Sequence, residues 1–130
     1  MDFGLVHKER KKDRASEKMM FVGNVTGKMA IIVDDIIDTA QTIITASKVL
    51  KEQGATRVIA VITHGILSGN SDDIQNSDID EIIVSNSIPQ DQKLKQLSKL
   101  RTFDISSIFA EAIRRIHNGE SVSFLFEEQH

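Results

Sequence analysis

Met29-Ala30-Ile31-Ile32-Val33 is an unbroken apolar run rich in β-branched residues, the pattern of a strand buried on both faces. After it, Ile43, Ala46, Val49, Leu50 and Gln53 recur at threes and fours, which predicts a helix. Thr39 or Thr42 is placed to cap its start and Gly54 to stop it. Arg57-Val58-Ile59-Ala60-Val61-Ile62 reads as the next buried strand. Strand, helix and strand with short connections form a βαβ unit, whose strands run parallel with a right-handed crossover.

Further along, Glu81-Ile82-Ile83-Val84 is a short strand from which Ser85 to Pro89 turns away, and Leu100 to Asp104 reads as another. An amphipathic helix is predicted from near Ser106, with Ile108, Phe109, Ala112, Ile113 and Ile116 on one face and its end at Asn118-Gly119. The tail Val122 to Phe126 reads as a final strand, and Gly4 to His7 as a strand entering from elsewhere. Two polar stretches, the basic segment running to Lys18 and the segment from Gly65 to Asp80, are predicted to be mobile loops. The fold class is α/β, a mainly parallel sheet flanked by helices in one domain over residues 1–130.

Composition changes this picture mainly by exclusion. With 40% hydrophobic and 27% charged residues among 130, the chain folds, and with no cysteine it has neither a disulfide scaffold nor a thiolate zinc site nor a cysteine nucleophile. No apolar run approaches the roughly 20 residues of a membrane span, and the start carries no signal-peptide pattern, so the expected location is cytoplasmic with no membrane partner. Net charge is −3, yet Lys8, Arg10, Lys11, Lys12 and Arg14 outnumber Glu9 and Asp13 in one short run. A nucleic-acid partner is disfavoured, because the remainder is acidic and holds no tryptophan or tyrosine for base stacking. A local phosphate or polyphosphate fits the run better.

Ligands of open parallel sheets sit beyond the carboxyl ends of the strands, which directs attention to the loops after Val33, Ile62 and Val84, and to the first above all. It reads Asp34-Asp35-Ile36-Ile37-Asp38-Thr39-Ala40-Gln41-Thr42: two adjacent carboxylates at a strand end, then an acid and two hydroxyls where a helix begins. Unpartnered helix amides with Thr39 and Thr42 make a phosphate cup, while paired carboxylates suit vicinal hydroxyls or a cation. An ordinary acidic helix start uses the same residue types, so spacing alone leaves both readings open. His64, His117 and most of the basic run are likewise explained by loop packing, a helix dipole and solvation.

Four hydrophobic residues followed by this nine-residue segment resemble the ribose-5-phosphate signature of the type I phosphoribosyltransferase superfamily, with Gln41 where relatives often have glycine. Val6 to Lys12, Thr63 to Gly69, Ser85 to Gln90 and Ala110 to Phe126 resemble the C-terminal half of ribose-phosphate pyrophosphokinase, in the right order over nearly the whole chain. The resemblance implies a type I phosphoribosyltransferase-like, Rossmann-like domain. It also implies transfer of pyrophosphate from ATP to ribose 5-phosphate with Mg2+, giving phosphoribosyl pyrophosphate and AMP.

By the same resemblance, Lys8 and Arg10 belong to a flexible catalytic loop over residues 7–18. Asp34 and Asp35 face the ribose hydroxyls, Asp38, Thr39, Ala40, Gln41 and Thr42 hold the 5-phosphate, and Ser121, Ser123 and Phe126 help form an allosteric site between subunits. A homo-oligomer is implied. Metal ligands and most of the ATP surface are expected in an N-terminal partner domain outside this chain, so the chain is expected to be a fragment, inactive alone. A non-catalytic regulatory homologue is the alternative. A phosphoribosyltransferase is disfavoured by the block from Asn118 to Phe126.

Overall fold

The computed structural model describes residues 4–10 and 17–126. Its centre is a four-stranded, wholly parallel sheet of β3 (Met29–Ile37), β4 (Arg57–Gly65), β5 (Glu81–Ser85) and β6 (Leu100–Phe103), in that spatial order. The connections carry α1 (Gln41–Glu52), α2 (Ser71–Gln75) and α3 (Asp91–Gln96), and α4 (Ser106–His117) follows the last strand. The α/β class with a mainly parallel sheet stands.

Strand order in one direction has a consequence for burial. Each parallel crossover is right-handed, so a sheet that grows steadily towards one edge places every connection on the same face. That face holds the core: Ala30, Val58, Ala60, Ile62, Ile82, Val84 and Leu100 are buried, with Ile43, Ala46 and Leu50 of α1 facing them. On the opposite face of β3, Met29, Ile31 and Val33 are exposed, Val33 at 77%. The expectation of a strand buried on both faces is therefore corrected, because no crossover covers the second face.

Three local expectations also change. Gly65 to Asp80 is not a loop throughout: Leu67, Ile74 and Ile79 are buried in the core, and Asn70 caps α2 by accepting from the Asp72 amide at 3.1 Å. The predicted C-terminal strand is a 3-10 turn over Ser123–Phe126. The predicted loop over 7–18 has paired ends, since β1 (Leu5–Arg10) and β2 (Glu17–Val22) form an antiparallel hairpin. Its register sets Glu9 opposite Lys18 and Arg10 opposite Glu17. Residues 11–16, with Lys11, Lys12 and Arg14, lie outside the described residues.

The helix expectations hold at their ends. Gly54 at φ 90° follows α1, and Gly119 at φ 69° follows α4, the left-handed conformation that favours glycine after a helix. The apolar stripe of α4 is not buried, however: Ile108, Phe109, Ile113 and Ile116 are all exposed. No helix among the described residues is long and apolar enough to cross a membrane.

Candidate functional site

The carboxyl end of β3 and the start of α1 carry the sequence motif, but the strand runs further than expected. Ile36 pairs with His64 and Ile37 with Gly65, so the nine-residue β4 holds β3 extended through Asp34 and Asp35 as far as Ile37. The two carboxylates thus sit within the strand, where successive side chains leave from opposite faces. Asp34 accepts from the Asp35 amide at 2.9 Å and Asp35 from the Ile36 amide at 2.8 Å, leaving further lone pairs on both. Among the described residues no cluster of three or more His, Asp or Glu side chains could hold a metal ion.

Asp38 and Thr39 form the turn, and Ala40 is the N-cap of α1 with φ 66° and ψ 0°. Neither Thr39 nor Thr42 caps the helix, because Ala40 occupies that position and no side chain bonds the first turn. This corrects the capping expectation and sharpens the chemistry. The amides of the first turn, Gln41, Thr42 and Ile43, have no acceptor within the helix and no capping side chain. They lie at the positive end of a 12-residue helix, with Asp38, Thr39, Gln41 and Thr42 exposed around them. An anion is the natural partner of such a cup.

A second loop, from Ile66 to Asn70, lines this one; it follows β4, whose carboxyl end is among those the sequence points to, although the sequence singles out no residue in it for the site. The amides of Ile66 and Leu67 donate to the Ile37 carbonyl at 2.8 and 3.4 Å, and the Ser68 amide donates to the Asp38 carbonyl at 3.1 Å. The Ser68 hydroxyl donates to Asp38 Oδ1. Ala40 and Leu67, one in each loop, are the described non-glycine residues with positive φ, 66° and 50°. A left-handed residue with a side chain costs roughly 1 to 2 kcal/mol, and such strain persists only where surrounding structure enforces it. Both are buried here, against the same core cluster.

Behind the second loop stands Gln90, 5% exposed, whose Nε2 donates to the Gly65 carbonyl at 2.6 Å. Lys93 Nζ donates to the Gly69 carbonyl and to Ser71 Oγ, both at 3.4 Å. At the carboxyl end of β4, His64 Nδ1 and Ser87 Oγ share a hydrogen bond of 2.8 Å, and Ser87 Oγ also donates to the Thr63 carbonyl at 3.1 Å. A shallow groove of about 510 Å³ runs beside α1 between Gln41, Lys48 and the α2 side chains. Asp72, Asp73 and Asp78 line it, and three acids against one lysine repel a phosphate.

The remaining sequence candidates lie in other parts of the molecule. The backbone of Lys8 and Arg10 is in β1, opposite Met19 and Glu17; their side chains lie outside the described residues. The hairpin is anchored by Phe21, which packs on the cluster of Ala30, Leu50, Ala55 and Val58. Ser121 and Ser123 flank the turn after α4, where the Ser123 amide donates to Ser121 Oγ at 3.2 Å, and Phe126 is 84% exposed. Arg115 donates to the Ser121 carbonyl at 3.1 Å and lies 4.6 Å over the Phe124 ring. Glu111 is held down to about 2 by its hydrogen bonds first with Arg114 and also with Arg115. Glu120 is lowered chiefly by Arg114 as well, so this end of α4 is a closed ion network.

Residues 5–127 match the family model described as the phosphoribosyl synthetase-associated domain. The chain is 47% identical over 128 residues to ribose-phosphate pyrophosphokinase 3 of Saccharomyces cerevisiae, covering 98% of this chain and 40% of that protein. It is 51% identical over 127 residues to ribose-phosphate pyrophosphokinase 2 of Schizosaccharomyces pombe, covering 97% of this chain and again 40% of the relative. The fold matches the crystal structure of phosphoribosylpyrophosphate synthetase from Mycobacterium smegmatis with a TM-score of 0.78 and 33% identity, over 89% of this chain and 37% of that one. The chain thus spans about 40% of the length of these curated relatives.

Proposed function

This chain belongs to the phosphoribosyl synthetase-associated domain family, and from that premise we propose that it is the ribose-5-phosphate-binding, C-terminal part of a ribose-phosphate pyrophosphokinase. The observation that carries the reading is the uncapped start of α1, framed by Asp38, Thr39 and Thr42 at the carboxyl end of a parallel sheet. There the first-turn amides receive the 5-phosphate, joined by the Thr39 and Thr42 hydroxyls. Asp34 and Asp35, just upstream in β3, accept the ribose hydroxyls with lone pairs their backbone bonds leave over.

In the complete enzyme, pyrophosphate passes from ATP to the anomeric hydroxyl, leaving AMP. Transfer of this kind gains most from positive charge where negative charge spreads, which is the role given to Lys8 and Arg10. Mg2+ accompanies ATP, and its protein ligands are assigned to the part of the relatives' chain that lies beyond this one. The reading further includes a homo-oligomer, a cytoplasmic location and an allosteric contribution of Ser121, Ser123 and Phe126. The regulatory homologue is less favoured, since Asp34, Asp35, Asp38, Thr39 and Thr42 are all present.

Titration calorimetry of the chain with ribose 5-phosphate tests the proposal. The wild type is expected to bind, and the double variant Asp38→Ala with Thr42→Ala to lose at least tenfold in affinity, since Thr42 gives up a hydroxyl contact to the phosphate worth about 1.5 to 3 kcal/mol and Asp38 the carboxylate that Ser68 bonds. Equal binding by both proteins would remove the phosphate loop from the reading.

A further inference from the structure

We infer that Ile66–Asn70 is a brace that presets the phosphate loop, with Ser68 and Gly69 as its positioning residues. The inference rests on the reading of Asp38–Thr42 as the phosphate loop, but its geometry stands apart from any ligand. The two segments are joined along their length: Ile66 and Leu67 bond to Ile37, Ser68 bonds Asp38 through both main chain and side chain, and Gly69 lies against Thr39.

The approach at Gly69 is the tightest of these. A Cβ there would lie 2.6 Å from the Thr39 carbonyl oxygen and 3.3 Å from its carbonyl carbon and Cα, all of them backbone atoms with no free rotation to yield. Any side chain at position 69 must therefore push the Thr39 main chain, and with it the amides that follow. Glycine is required here by close approach, not by its own φ.

Behind Gly69 the brace is itself held. Lys93 of α3 reaches the Gly69 carbonyl, and Gln90, at the start of α3, bonds the Gly65 carbonyl from a buried position. Gly65 is in turn packed so that a Cβ would lie 2.7 Å from Val84 Cγ2. A run of contacts thus leads from α3 and β5 through the second loop to the first, and it keeps Ala40 and Leu67 in their left-handed conformations. A phosphate loop fixed before ligand arrives loses less freedom on binding, which favours affinity.

Amide hydrogen exchange on the ligand-free chain tests the brace directly. In Ser68→Ala and in Gly69→Ala, exchange at the bonded amides of the two loops, those of residues 66 and 68 that donate to Ile37 and Asp38 and that of Ile44 that donates to Ala40, is expected to quicken at least tenfold while the β5 amides keep their wild-type rates; Ser68→Thr, which retains the hydroxyl, is expected to keep exchange slow. Unchanged rates at these amides in both variants would overturn the brace. So would a uniform rise across the sheet in Ser68→Ala, which marks general destabilisation. Titration with ribose 5-phosphate separates this from the functional reading. If the wild type binds, Ser68→Ala should bind about tenfold more weakly and Ser68→Thr normally, and equal binding by Ser68→Ala counts against the brace. If the wild type does not bind, the functional reading fails for this chain, and the exchange rates still decide the brace.

Discussion

On one face of the sheet Val58, Ala60, Ile62, Ile82 and Val84 are sealed beneath the connecting segments; on the other Met29, Ile31 and Val33 stand in solvent. The residue types are the same, and some alternate along a single strand. What separates the two faces is topology. A sheet that advances from β3 to β6 with right-handed crossovers can cover only one side with its own connections. The apolar stripe of α4, with Ile116 at 69% exposure, belongs with the uncovered surface. Exposed apolar surface of this kind marks a contact site, and in the proposed homo-oligomer or complete enzyme it would be covered.

The largest expected effect lies on the covered face. Ile82→Ala removes a fully buried side chain between β4, β6 and the helices, and should cost roughly 2 to 5 kcal/mol in a denaturant titration. A loss below 1 kcal/mol would mean that the sealed face is not the stabilising one.

Next in size is Asp80, where charge ties the helix layer to the sheet. Its carboxylate accepts from the Val58 amide at 2.7 Å and meets Lys51 at 2.8 Å. Burial pushes its pKa up, but the Lys51 and Val58 hydrogen bonds outweigh that and leave it lowered. A group lowered on folding contributes stability above its unfolded pKa, and that contribution disappears as pH falls through the folded value. Asp80→Asn should therefore cost about 1 kcal/mol at neutral pH, a figure kept small by partial exposure, and should flatten the acid side of the stability profile. A variant whose stability falls as steeply on acidification as the wild type's would contradict this assignment. Glu111, held down to about 2, gives up its part of the network as pH falls from about 4.5 towards that value.

Smallest in stability is the uncovered face. Val33→Ser should change unfolding free energy by no more than about 0.5 kcal/mol, while moving the sedimentation profile of concentrated protein towards the monomer. If Val33→Ser unfolds as readily as Ile82→Ala, the two faces are not different in the way described. If sedimentation of the wild type is strictly monomeric, self-association does not involve this surface.

Much of the layered core was legible in the chain. The apolar run at Met29–Val33, the three-and-four spacing of α1 and the run at Arg57–Ile62 are local signals, strong because each buries a periodic face. The start of α1, proposed as the phosphate loop, was found from its residues but misread in its geometry, since neither threonine caps the helix. Helix α3 went unseen because Asp-Gln-Lys-Leu-Lys-Gln has a single apolar residue and buries none.

Sequence by itself determined the α/β class, the ends of α1 and α4 at their glycines, and the residues that frame the anion cup, because backbone conformation, periodicity and residue chemistry are properties of neighbours along the chain. Tertiary structure alone decided which face of the sheet is covered, how far β3 extends past Asp34, and that Ala40 and Leu67 adopt left-handed conformations. It also brought Ser68 and Gly69 against Asp38 and Thr39, some 30 positions away in the sequence. These depend on crossover handedness, on a ladder with β4, and on the close approach of two loops that meet only once the sheet has formed.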